Sequence, residues 1–293
     1  MYRNILIGVD GGSNGRDAIA LARRLAGPDS VLLLAHVYGG EHVPASGSAS
    51  DSATQHADEM ALLEHERSRA GVEAGLLSIG APSVGRGLHH LAISRRADLI
   101  VVGSTRHGPV GRALLGDDIR GALGGAPCAV AIAPRGYARD AGDVERIGVA
   151  YDFSDAADAI LLSARELAVK HGATLSALYV APFPTLARER EGTPDFVDFV
   201  DAEHEMRAGL LEHLDGRVAF GQIGRKLAAF GDQVDLLVVG SRGRGPLRSM
   251  IFGSTSSYLA RHAACAVLVM PRSGSPMATK ELVKRQAMFC SRA

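Results

Sequence analysis

A doubly wound α/β architecture, present twice in tandem, is what this 293-residue sequence predicts, and three observations predict it. The chain repeats itself: VVGSTRHGPVGRALLGDDIRGALGGAPCAVAIAPRG (101–136) aligns without gaps to VVGSRGRGPLRSMIFGSTSSYLARHAACAVLVMPRS (238–273). Gly103 then meets Gly240, Gly116 meets Gly253, Cys128 meets Cys265 and Pro134 meets Pro271, each pair 137 residues apart. The starts match as well, NILIGVDGGSNGRDAIALARRLA (4–26) with RIGVAYDFSDAADAILLSARELA (146–168), which sets Asp10 opposite Asp152. Within each copy, short apolar runs alternate with amphipathic stretches, the pattern of a parallel sheet with helices on both faces. Finally, apolar residues make up 46% of the chain, enough to bury a core in each copy.

In the first copy the apolar runs are ILIGVD, VLLLAHVY, EAGLLSIG, LIVVGS and AVAIAP. Runs this short, apolar throughout, suit strands buried on both faces. DAIALARRLA and GLHHLAISRRA between them carry apolar residues three and four apart, and DEMALLEHERSRAG has the same spacing with a glycine stop. The second copy supplies IGVAYD, TLSALYVA, a weaker RVAFG, LLVVGS and AVLVMP. The loop 39–56, rich in Ser, Ala and Gly, reads as a mobile flap. The polar, glycine-containing stretch 135–145 reads as the boundary, so the domains span 1–136 and 145–272, with residues 273–293 as a tail outside the repeat.

Lys and Arg balance Asp and Glu at 32 each, which argues against bulk binding to nucleic acid or an anionic membrane. No stretch approaches the ~18 apolar residues of a membrane span. MYRN leads directly into a strand-like run with no signal segment, and the three cysteines form no CxxC. The expected location is therefore a reducing cytoplasm.

Chemistry concentrates in GSRGRGPLRSMIFGSTS (240–256). Gly240 follows a predicted strand end, where parallel sheets bind ligands. Glycines let a backbone approach a ligand closely, and successive amides can enclose an anion. Ser254, Thr255 and Ser256 open an amphipathic stretch, and a helix N-terminus offers free amides and the positive end of its dipole to phosphate. No Gly-Lys-Ser/Thr follows, so this is not a Walker loop; nor does a G-x-G-x-x-G follow the first strand. Glycines alone also fit plain turns.

The pattern Gly240-x2-Gly243-x9-Gly253-Ser254, with Asp152 ending the first strand of its copy and a closing AVLVMP strand, resembles the universal stress protein family across nearly the whole chain. That resemblance implies two tandem domains, each a five-stranded parallel sheet related to the adenine-nucleotide α-hydrolases. It implies that ATP, or AMP or ADP, with or without Mg²⁺, binds the second copy. Asp152 would meet the adenosine end, Val180 would line the adenine pocket, and Gly240, Gly243, Gly253, Ser254, Thr255 and Ser256 would hold ribose and phosphates. Arg242 lies inside the motif. Tyr151 and Phe153 flank Asp152, where family members often carry smaller residues.

The first copy departs at the decisive places. Arg106 stands where Gly243 stands, and Asp117 and Asp118 replace Ser254 and Thr255. Two carboxylates suit a helix start but repel a phosphate, by about 1 kcal/mol per charge pair at ~4 Å in water and about 4 at an effective dielectric near 20. Asp10, Val37, Gly103 and Gly116 are the weaker candidates of this copy, which is expected to hold phosphate poorly. Cys128 and Cys265 read as small packed residues, His89 and His90 as surface or half-buried, and Asp98 and Asp235 as caps or turns. No motif places a catalytic base or a metal site. Three functions stay open: an ATP-binding regulatory module of a stress response, a slow ATPase or nucleotidyl-transfer enzyme, and an interaction protein without a ligand. The apolar last strands, AVAIAP and AVLVMP, would pair internally as a pseudo-dimer, and a further homodimer is compatible with the sequence.

Overall fold

Runs of Val, Ile and Leu bounded by polar turns become strands because extended backbone lets both faces of each run be buried. The computed structural model describes residues 2–38, 49–104, 124–140, 142–181, 215–241 and 253–271. The first copy contributes β1 (Tyr2–Gly8), α1 (Ser13–Leu25), β2 (Ala26–Tyr38), α2 (Ala49–Ala70), β3 (Gly75–Gly80), α3 (Val84–Ser94), β4 (Leu99–Gly103) and β5 (Ala129–Ala133). A short helix, α4 (Tyr137–Asp140), leads to the second copy. There follow β6 (Arg146–Ala150), α5 (Asp155–His171), β7 (Thr174–Ala181), β8 (Gly216–Phe220), α6 (Ile223–Gly231), β9 (Leu236–Gly240), α7 (Ser254–His262) and β10 (Ala266–Met270).

The ten strands form one sheet in the order β3-β2-β1-β4-β5-β10-β9-β6-β7-β8. Neighbours within each copy run parallel. The copies join where β5 and β10 pair antiparallel, Val267 opposite Ile132 and Val269 opposite Val130. Each last strand thus covers the other's edge, which would otherwise expose an apolar row of unpaired amides. Alternate residues feed two cores that run through both copies. Leu6, Ile100, Val130, Val267 and Val239 face α3, α6 and α7, while Ile5, Leu99, Ala131, Leu268 and Val238 face α1, α2 and α5.

Two aspartates tie strand starts together. The Asp98 carboxylate accepts from the amides of Arg3 (2.7 Å) and Asn4 (3.0 Å). Its repeat mate Asp235 accepts from the amides of Glu145 and Arg146 and pairs with the Arg146 guanidinium at 2.7 Å. Both were expected as caps or turns; the structure makes them cross-strand clamps.

The reading of 39–56 as a flap is corrected in its second half. Helix α2 begins at Ala49 and runs through the Ser- and Ala-containing stretch to Ala70. Ala has the highest helix propensity, and the apolar face of 60–70 docks the helix on the sheet, so the turns before it propagate at little cost. Gly71, at φ 58°, ends it as the sequence predicts. Residues 39–48 and the tail from 272 lie outside the described residues.

Polar contacts fasten the linker. Asp17, 2% exposed, accepts from the amides of Gly136 and Ala138, both at 2.8 Å. The Lys170 ammonium of α5 donates to the carbonyls of Leu25 and Ala26 where α1 ends. A buried carboxylate with both oxygens bonded avoids the penalty of an unsatisfied group.

Candidate functional site

In the second copy the strand order reverses between β6 and β9, whose pairing runs as far as Val149 opposite Val238. A crevice of about 140 Å³ opens there, the general ligand position of such sheets. Asp152 borders it just past β6, Val180 from β7, Gly240 from the end of β9, and Gly253, Thr255 and Ser256 from the start of α7. Leu178, Leu227 and Val239 give it an apolar floor, and Tyr151 and Tyr179 add aromatic walls. Ser254 is exposed beside the opening without lining it. Arg242 and Gly243 lie outside the described residues, as do Arg106, Gly116, Asp117 and Asp118.

Helix α7 starts at Gly253 in extended conformation (φ −83°, ψ 165°), with no side-chain cap on its first turn. Its early amides are therefore left to whatever occupies the crevice or to solvent. Helix α5, which leaves the same crevice, is different. Ser154 caps it by accepting from the Ala157 amide at 3.2 Å, and its hydroxyl donates to Asp152.

The first copy repeats the crevice at about 90 Å³, lined by Asp10, Val37 and Gly103 together with Asn14, Gly15, His36 and Leu88. Here the carboxylate closes on its own helix. Asp10 accepts from the amides of Gly12 (2.9 Å) and Gly15 (3.2 Å) and from the Asn14 side chain (3.4 Å). Gly103 has a packing reason of its own. A Cβ there would stand 2.1 Å from the Asn14 carbonyl oxygen, so α1 demands glycine whatever binds.

A family model decides what the repeat means. The universal stress protein model matches residues 1–134 and again 144–271. This chain belongs to the universal stress protein family. A universal stress protein of Mycolicibacterium smegmatis is 28% identical over 296 residues, covering 91% of this chain and 96% of that one. One of Mycobacterium tuberculosis is 39% identical over 69 residues, but that match covers 24% of this chain and 22% of the relative's length. A solved structure from Pseudomonas aeruginosa superposes at TM-score 0.65 with 18% identity, covering 97% of this chain and 98% of that one, a likeness of fold.

Several features of this universal stress protein escaped the sequence reading. Phe153 takes the place of Gly11 and shares its left-handed backbone, φ 59° against 73°. Its ring meets Tyr151 edge-on at 4.8 Å and Tyr179 at 5.2 Å. The Tyr151 hydroxyl donates to Asp158, and burial, then that carboxylate, push the phenol above its ordinary range. The first copy has Val9, Gly11 and His36 at these places, and both His36 ring nitrogens face oxygens, of Val9 at 2.7 Å and Glu59 at 2.8 Å. Only the flanking positions of Tyr151 and Phe153 could have drawn attention; the trio needs β7 beside β6.

Other expectations are settled by surroundings. Burial pushes the thiols of Cys128 and Cys265 up to about 12, which removes them as nucleophiles near neutral pH. His89 is half-buried and His90 exposed. Among the described residues no group of three or more His, Cys, Asp or Glu could hold a metal ion, and no helix is long and apolar enough to cross a membrane.

Proposed function

We propose that this universal stress protein is an ATP-binding regulatory module whose nucleotide sits in the second copy. One observation carries the reading: Asp152, Val180, Gly240, Gly253 and Ser256 border a single switch-point crevice that opens on the uncapped start of α7. The chemistry of the lining fits the ligand's parts. Leu178, Val180 and Val239 offer an apolar slot for a flat base, and Tyr151 and Tyr179 offer rings beside it. Asp152 is placed to accept from ribose or adenine donors. Gly240, Gly253, Ser254, Thr255 and Ser256, with Arg242 and Gly243 of the connecting loop, would hold phosphates by amides, hydroxyls and the helix dipole. The described crevice is smaller than the ~300 Å³ of a typical ligand pocket, so the phosphates would lie toward that loop. Mg²⁺ would arrive with the triphosphate, as its counter-ion.

In this reading the domains are 1–136 and 145–272, with 273–293 as a tail, and the location is cytoplasmic. Asp10, Val37, Gly103 and Gly116 form at most a nucleoside site, because Asp117 and Asp118 oppose phosphate. The decisive experiment counts nucleotide extracted from the purified full chain and titrates ATP by calorimetry. One adenine nucleotide per chain is the expected result. Two equal sites reject the restriction to the second copy. No binding by a folded chain rejects the nucleotide reading in favour of an interaction protein. Phosphate release above blank that is lost in Asp152→Ala would make the module an enzyme.

A further inference from the structure

Away from both crevices, a groove of about 580 Å³ runs between α1, α2 and the turn that follows β5. Five arginines line it: Arg16 and Arg23 from α1, Arg69 from α2, Arg135 from the turn and Arg139 from α4. Against them stand two carboxylates. Asp17 is committed to the amides of Gly136 and Ala138, which holds the turn in place. Glu66 is 3% exposed; its Oε2 lies 3.4 Å from the Arg16 Nε, yet neither atom makes a hydrogen bond among the described residues. Oε2 is thus ion-paired with Arg16 without a hydrogen bond of good geometry, and this buried carboxylate oxygen keeps an accepting position open to a donor on a ligand. The volume is that of a small-molecule site.

The α1 side of the groove is not repeated in the sequence of the second copy. Asp158 replaces Arg16 and Ala159 replaces Asp17 there, and Asp155 replaces Ser13. Whatever the groove takes is therefore separate from the repeated crevice and does not depend on the nucleotide reading. Planar guanidinium forks bind phosphate oxygens in pairs, and several facing one groove select multiple anionic groups over one. Glu66 adds a demand for a hydroxyl or amine between them.

We propose that this groove is a second ligand site, specific to the first copy, for a small molecule bearing two or more phosphates and a hydroxyl or amine donor. The test titrates the full chain with fructose 1,6-bisphosphate and with pyrophosphate, by calorimetry and by the side-chain Nε–H resonances of its arginines. Saturable binding of the hydroxylated bisphosphate, tighter than pyrophosphate, is expected, with a shift of the buried Arg16 Nε–H. The exposed pair Arg135→Gln with Arg139→Gln should weaken it about tenfold or more, the loss expected when charge-assisted hydrogen bonds go. The double variant's melting temperature checks that it is folded. Absence of binding for both probes at millimolar concentration, binding unchanged in the folded double variant, or binding that leaves the Arg16 resonance unmoved overturns the proposal.

Discussion

The two crevices stand at the same place in the same fold, yet each spends its aspartate differently. Asp10 bonds the amides of Gly12 and Gly15 at the start of α1. In the second copy Ser154 takes over the capping of α5, and Asp152 accepts from the amide and hydroxyl of that serine at the rim of the crevice. The residue after the aspartate differs too. Gly11 adopts its left-handed backbone without penalty, whereas Phe153 is held there by two rings. A duplicated fold thus keeps its geometry while side chains decide which residue bonds the first turn of the helix beside the crevice.

Exchanging the residues after the aspartates should break the comparison most sharply. A Cβ on Gly11 would lie 2.9 Å from Leu62 Cδ1 at a φ of +73°, so Gly11→Phe combines strain with overpacking. A loss of about 3 kcal/mol in chemical denaturation is expected. The reverse change, Phe153→Gly, relieves strain but removes two edge-to-face contacts and should cost only about 1 kcal/mol. A Phe153→Gly protein more stable than its parent would show that the aromatic trio does not hold that backbone.

The aspartates themselves come next. Asp152→Ala should lower ATP affinity about tenfold, near 1.4 kcal/mol, with α5 still capped by Ser154. Asp10→Ala should instead cost about 1 kcal/mol of stability, as loss of a helix cap does, and leave the ATP stoichiometry unchanged. Calorimetry and urea melts on both variants separate the two outcomes; equal loss of affinity would erase the distinction between copies.

The smallest effect sharpens the comparison at the strand clamps. Burial pushes the Asp235 carboxyl up, but the Arg146 guanidinium and the amides of Arg146 and Glu145 outweigh it and hold the group below its ordinary value. A depressed carboxyl contributes stability that is complete above the unfolded value and is lost as pH falls through the folded one. Stability should therefore decline below about pH 3.8, and Asp235→Asn should flatten that part of a urea-melt series against pH. The equivalent Asp98 clamp has backbone donors from Arg3 and Asn4.

Much of the architecture was legible because it depends on local composition. Short apolar runs, a self-match at an offset of 137 residues and a glycine after α2 are read along the chain, and the apolar runs became the strands they announced. The start of α2 was not legible: Ser and Ala in 49–56 fit loop and helix alike until the apolar face of the same helix docks on the sheet. The site divides in the same way. Gly240 and Gly253 stood out as candidates by spacing, and Asp152 and Ser256 through the family resemblance, whereas the ring trio, the Asp17 clamp and the arginine groove join residues far apart in the chain.

By itself, then, the sequence determined the repeat and the strand–helix alternation, because these follow from periodicity along one chain, and its glycine pattern carried the resemblance to the family that the family model then showed. The internal pairing of the two last strands was expected from the sequence; tertiary structure alone decided its antiparallel register, that Asp10 bonds the first turn of α1 whereas Ser154 caps α5, and that Glu66 is buried beside Arg16. Those outcomes depend on which groups meet after folding. Hydrogen-bond satisfaction and burial are set by partners that no spacing in the chain reveals.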